Sequence, residues 1–302
     1  MVFPPRLVQM TRTLPPDPET VDDVGGNGDV YASGYGRNMA ATIEETFQRP
    51  VGQLLRGWRE RRRLSQLELA NRVEVSTRHV SFVETGRSKP SREMVLRLAE
   101  HLDVPLRDRN QLLLAGGFAP IYSEASLHSP AMLAIRTTLR RLLKAHEPYP
   151  ALVVDRWWNI VESNASIRLF TDDVDEKLLQ APVNALRLTL HPHGLARRIG
   201  NIAEVRTAAL SSLQRQVGAT ADPELQDLYD ELREYAADDR PAQPGPAEVV
   251  VPFNLTHDGQ ELSLLTTIAT FGTPLDVTVS ELMIESFFPA DDRTADYLRA
   301  LS

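Results

Sequence analysis

The sequence predicts two domains of different class: a small all-α domain of five helices within residues 46–115, and an α+β domain with an antiparallel sheet across residues 131–302. Three observations predict this division. Residues 65–79, SQLELANRVEVSTRH, read as two short helices around a tight turn. Strand-like runs rich in Val, Leu, Ile and Thr occur only beyond residue 150, two before a helical stretch and three after it. The 302 residues also exceed one typical core of about 100–200 residues.

Within the first domain, Val51, Leu54, Leu55 and Trp58 follow the i, i+3, i+4, i+7 spacing of a helix with one buried face. Ser65-Gln66-Leu67-Glu68 has the form of a capping box, in which hydroxyl and carboxylate satisfy orphan N–H groups at a helix start. That helix carries Leu69, Ala70 and Val73 inward, and small Ala70 lets the next helix cross closely. Residues 73–75 form the turn. Ser76 caps the following helix, which buries Val80 and Val83 and leaves Thr77, Arg78, Ser81 and Phe82 outward. A Ser91 cap starts a fourth helix with Val95, Leu98, Ala99 and Leu102 inward, and residues 106–114 supply a fifth.

Two helices around a three- or four-residue turn are a means of placing the second helix in the major groove of DNA. The charge pattern agrees. Residues 51–115 hold 13 Lys+Arg against 8 Asp+Glu, a net of +5, while the chain as a whole is at -8. A basic module in an acidic protein is the footprint of a phosphate-binding surface. Arg78, near the start of the outward face, is placed to bridge guanine O6 and N7, and Gln66 and Arg87 flank the motif at phosphate height. With Ser76, Thr77, Ser81 and Phe82 they form the candidate DNA-binding set, on a double-stranded operator read by a homodimer. The alternative is a helical hairpin that binds a partner protein.

The absence of cysteine removes disulfides, thiolate zinc sites and cysteine nucleophiles. No apolar run approaches the roughly 18–20 residues of a membrane span, and the N-terminus lacks a basic segment followed by an apolar core, so a cytoplasmic protein with no membrane partner is expected. Residues 1–45, with their prolines and the Gly25-Gly26-Asn27-Gly28 cluster, read as a flexible tail, and Met39 is an alternative start. Residues 116–130 form a linker whose Phe118, Ile121 and Tyr122 suggest that it docks rather than floats.

Beyond the linker, residues 132–145 form a helix with Leu133, Leu139, Leu142 and Leu143, either a dimer seam or a brace. Strands follow at 151–155 and 157–161, then helices through Tyr235, including a long one over 195–217. The PAQPGP segment at 241–246 breaks the chain, and strands return at 249–255, 261–269 and 277–286. Two strands, central helices and three strands make a five-stranded antiparallel sheet with helices on one face, which is the order of PAS domains.

Residues 51–115 resemble the helix-turn-helix domain of the XRE/Cro repressor superfamily, which implies a lambda-repressor-like fold. The run VSFVETGRSKPSREMVLRLAEHLDVPLRDRNQLLLAGGFAP, with PALVVDRWWNIVESNAS and VNALRLTLHPHGLARRIGNIAEVR, resembles bacterial regulators that carry an MmyB-like ligand-binding domain. The resemblance covers residues 50–290 and implies a PAS-like fold with a small, fatty-acyl-like ligand between sheet and helices. Glu74 departs from the superfamily, which usually has glycine at that turn; a left-handed conformation there costs about 1 kcal/mol or more, so either the stability is lower or the turn differs.

Several residues are candidates for that ligand. Trp157 and Trp158 occupy adjacent strand positions, so one faces inward, where ligand contact and core packing are both open. Asn164 either caps the next helix or bonds a ligand. Asn184, Arg187 and His191 fall on one helical face that suits an anionic head group, with an internal salt bridge of Arg187 as the alternative. His191-Pro192-His193 lacks the third ligand a metal site needs, and no resident cofactor is expected. The chain contains no HExxH, GxSxG, phosphate loop or dinucleotide fingerprint, so an enzyme with an appended DNA-binding domain is the less favoured class. The reading is a ligand-responsive transcriptional regulator.

Overall fold

A computed structural model describes residues 49–235 and 251–301 of the chain. The expected tail at 1–45, the alternative start at Met39, the break at 241–246 and the first two residues of the strand expected at 249–255 lie outside them. The described residues divide into two compact units, one over residues 49–124 with Leu275–Val277 and the other over the remainder.

The first unit is five helices: α1 Val51–Arg61, α2 Gln66–Arg72, α3 Thr77–Glu84, α4 Arg92–His101 and α5 Leu106–Ala115. Each predicted serine cap is present. Ser65 Oγ accepts from Glu68 N at 3.1 Å while Glu68 Oε2 accepts from Ser65 N at 2.7 Å, and Ser76 and Ser91 accept from His79 N and Met94 N. The core joins Leu55 and Trp58 to Leu69, Ala70, Val73, Val80, Val83, Val95, Leu98 and Leu102. Glu74 takes the left-handed conformation its position demands, with φ of 53°, and its carboxylate meets Arg97 at 3.0 Å. At Gly52 a Cβ would lie 2.1 Å from Val83 O, so only glycine lets α1 rest on the backbone of α3. After α5 the chain turns back: Phe118 packs on this core, and Asn110 Oδ1 accepts from the N–H groups of Ile121 and Tyr122, both at 3.1 Å.

The second unit opens with a 3-10 turn at Pro130–Met132 and α6 Leu133–Ala145. There follow β1 Ala151–Val154, β2 Ile160–Ser163, α7 Arg168–Thr171, α8 Ala185–Leu190, α9 Ile202–Thr220 and α10 Pro223–Glu234. Then come β3 Phe253–His257, β4 Gln260–Thr270, α11 Val277–Ser280, whose first residue groups with the first unit, β5 Met283–Pro289 and α12 Asp292–Leu301. The strands form one antiparallel sheet in the order β2-β1-β5-β4-β3. Its inner face presents Leu152, Val154, Phe253, Leu255, Leu262, Leu264 and Phe287 to a core shared with α7 to α10.

Four expectations change. Helices cover both faces, because Leu139 and Leu143 of α6 and Val279 of α11 bury Ala151 and Val153 from the outer side, so all four residues of β1 are buried. The second strand does not begin at Trp157: Asp155 Oδ1 accepts from Trp157 N and Asn159 N, both at 2.9 Å, which bends 155–159 into a turn. The long helix expected over 195–217 is interrupted, since Ile199 bridges to Leu255 and Gly200 N donates to Asn254 O at 2.8 Å. The last strand begins at Met283 rather than Val277; the β-branched run Val277-Thr278-Val279 forms α11, its propensity overridden by burial of Val277 and Val279.

Candidate nucleic-acid interface and ligand site

The outward face of α3 starts at Ser76, whose hydroxyl accepts the cap bond, and runs through half-buried Thr77, exposed Arg78 and half-buried Ser81 and Phe82. The Arg78 guanidinium lies 5.1 Å from the centroid of the Phe82 ring, and that of Arg87 lies 5.9 Å from the same ring. Neither arginine side chain makes a hydrogen bond or ion pair among the described residues, so their donors stay available to an incoming acceptor. One aromatic ring thus holds two cations beside the face expected to meet DNA.

Gln66 is tied inward at one atom. Its Nε2 donates to Glu84 Oε2 at 2.8 Å, and Glu84, buried at the end of α3, pairs with Arg59 of α1 through contacts of 2.6 and 3.0 Å. Arg59 also donates to Leu64 O at 2.7 Å. This network joins α1, α2 and α3 and escaped the sequence reading, because partners 25 residues apart carry no periodic signal.

In the second unit the expected ligand residues are placed as follows. Trp158, at φ 67°, is buried, and its Nε1 donates to Gln216 Oε1 of α9 at 3.0 Å. Trp157 is half-buried with Arg156 stacked 5.1 Å from its ring. Asn164 does not cap a helix with its side chain. Its Oδ1 accepts from Ala151 N at 3.1 Å and its Nδ2 donates to Leu143 O at 3.2 Å and Tyr149 O at 2.7 Å, so the amide fastens the end of α6 to the start of β1. Because these backbone groups are left unpaired when the amide is removed, Asn164→Ala is expected to destabilise the protein by about 2–3 kcal/mol, readable as a fall in urea midpoint. An unchanged midpoint would show that water replaces it.

Asn184 caps α8, accepting from Leu186 N and Arg187 N, and donates to Trp157 O at 2.7 Å. Arg187 grips Glu231 of α10 at 2.7–3.0 Å, and the Tyr235 hydroxyl donates to the same carboxylate. His191 ends α8 with its ring edge-on to Tyr235 at 4.8 Å, and burial together with neighbouring His193 holds its pKa below the ordinary histidine value. Arg187 and His191 are therefore brought together through Glu231 and Tyr235, in the internal salt bridge that was the alternative to an anion site.

A helix-turn-helix in a basic helical module, followed by a separate domain of sheet and helices, defines a DNA-binding transcription regulator with a ligand-binding domain. Residues 50–112 match a helix-turn-helix domain family, and residues 135–301 match the MmyB-like transcription regulator ligand binding domain. The latter match spans more than half of the chain, and the chain belongs to the MmyB-like transcription regulators. No curated protein matches the sequence significantly. A solved chain titled as the structure of an RNA-binding light-oxygen-voltage receptor aligns over 92% of this chain and 70% of its own, at 13% identity with a TM-score of 0.27. No shared fold follows from a score of that size. Among the described residues no helix is long and apolar enough to cross a membrane.

Proposed function

We propose that this regulator reads a double-stranded operator through α3 as a homodimer, and that a small apolar ligand on the inner face of the C-terminal sheet changes its affinity. The observation that carries the DNA reading is Arg78, steadied over Phe82 at the start of α3 with its N–H donors making no hydrogen bond or ion pair among the described residues. In this reading Arg78 bridges O6 and N7 of one guanine. Arg87 and Gln66 contact phosphates, and Ser76, Thr77 and Ser81 line the groove. A fatty-acyl-like chain suits the aliphatic inner face. The ligand acts only through unequal affinity for two arrangements of the dimer. A cytoplasmic site of action follows from the DNA target.

Arg78→Ala is expected to lose about 1–3 kcal/mol of specific binding and to relax preference at one base pair, whereas Arg87→Ala weakens all sequences alike and lowers the salt slope by about 1. Selection from a randomised site measures both. An unchanged preference in Arg78→Ala excludes it as the base-reading residue.

A further inference from the structure

Across the inner face of the sheet, polar positions such as Thr266 and Thr270 are neutral, and among the described strand residues one acid, Glu285, interrupts the apolar pattern. Glu285 lies on β5, the middle strand, between Met283 and Phe287, which point to the same side and belong to the inner core. Its partners in register are Leu152 on β1 and Ile268 on β4. No hydrogen bond or ion pair reaches its carboxylate among the described residues.

That isolation is unlike the treatment of other enclosed acids in this chain. Glu84 pairs with Arg59, Glu162 with Arg140, Asp222 and Glu281 with Arg156, and Glu231 with Arg187. Glu285 is half-buried, and the atoms packed around it push its carboxyl pKa up to about 7. An unpartnered carboxylate in apolar surroundings is costly and adds nothing to packing. The two sides of Glu285 also differ. Leu152 is 3% exposed and Ile268 is 48% exposed, so the inner face is closed toward β1 and opens at the end of β4, beyond buried Leu262 and Leu264. A molecule that reaches the carboxylate therefore approaches past Ile268 and lays its apolar body on the same face.

We propose that Glu285 is the polar anchor of the ligand site on the inner sheet face, and that its ligand carries a hydrogen-bond donor, an ammonium or a hydroxyl, on an apolar body. This rests on the ligand-responsive reading above and replaces the anionic head group suggested by Arg187, whose guanidinium is already matched by Glu231. A carboxylate head beside ionised Glu285 meets like-charge repulsion, whereas an ammonium meets a charge-assisted hydrogen bond.

The test uses the full-length protein at pH 8 and three probes with the same chain: octylamine, octanol and octanoate, titrated calorimetrically into wild type and Glu285→Gln. Octylamine or octanol is expected to bind wild type about tenfold or more tightly than octanoate, and the tighter of the two identifies the donor as ammonium or hydroxyl. Glu285→Gln, which keeps shape and removes charge, is expected to lose about tenfold for that probe. Octanoate binding as tightly as both donors overturns the assignment, as does unchanged donor affinity in the variant or no binding by any probe. The wild-type comparison decides the matter even where the variant fails to fold. Salt-dependent operator binding, measured on the same protein, stands or falls separately and so distinguishes failure of this site from failure of the regulator reading.

Discussion

Glu84→Ala is expected to unfold the N-terminal domain or bring it close to unfolding, at a cost of about 3–5 kcal/mol. The substitution leaves the Arg59 guanidinium, itself buried, with only Leu64 O and the more distant Glu60 carboxylate at 3.8 Å, and it frees the Gln66 amide at the same time. Removing one partner of a buried pair is far more damaging than replacing both, because the remaining charge has lost water and partner together. Against a typical domain stability of about 5–15 kcal/mol, the loss is decisive for a module of this size. Circular dichroism of the full chain is expected to show loss of part of the helical signal at a lower temperature, with operator binding lost in parallel. The double substitution Arg59→Met with Glu84→Leu is expected to recover most of the stability, since it removes both charges. A melting curve unchanged by Glu84→Ala would mean that water reaches the pair and that the three helices are held by apolar packing alone.

Glu285→Gln is expected to stabilise the C-terminal domain above pH 7 by up to about 3 kcal/mol. The sign follows from proton binding. The folded carboxyl sits at about 7 against an ordinary value of 4.5, so between those values the folded protein keeps a proton that the unfolded chain has released. Stability from this group therefore declines as pH rises from about 4.5 to about 7 and is level beyond it. The figure is an upper bound, because part of the residue remains accessible. Glutamine cannot ionise, so the variant and wild type converge near pH 4 and separate by pH 8. Urea unfolding followed through Trp157 and Trp158 fluorescence across that range measures the gap. Parallel pH profiles for the two proteins would show that Glu285 is as well solvated folded as unfolded.

The difference between what was legible and what was not lies in the range over which each interaction acts. Ser65, Ser76 and Ser91 cap helices within three residues of themselves, so their positions in the chain already specify the caps found. The apolar spacing of Leu55, Trp58, Val80, Val83, Val95 and Leu98 names the buried face of each helix before any partner is known. For Glu74 the superfamily's usual glycine pointed to a special turn but left open whether the turn differs here, and the structure shows it left-handed, at φ 53°. The alternation in the strands likewise announces a sheet, but not which strand ends where. That depended on the Asp155 turn, on β3 capturing Ile199 and Gly200, and on burial of Val277 and Val279.

By itself, then, the sequence determined the two domain classes through their apolar periodicities, and the helix-turn-helix with its capped helices and the outward set around Arg78 through contacts within about one turn of chain. Tertiary structure alone decided the fate of the polar residues. It set Glu84 against Arg59 across 25 residues and Glu231 against Arg187 across 44, and turned Asn164 from a capping candidate into a tie between α6 and β1. It also placed Glu285 between Leu152 and Ile268 without a counter-charge. Whether a charge is matched or isolated depends on which distant element folds over it, and no spacing along the chain encodes that neighbour.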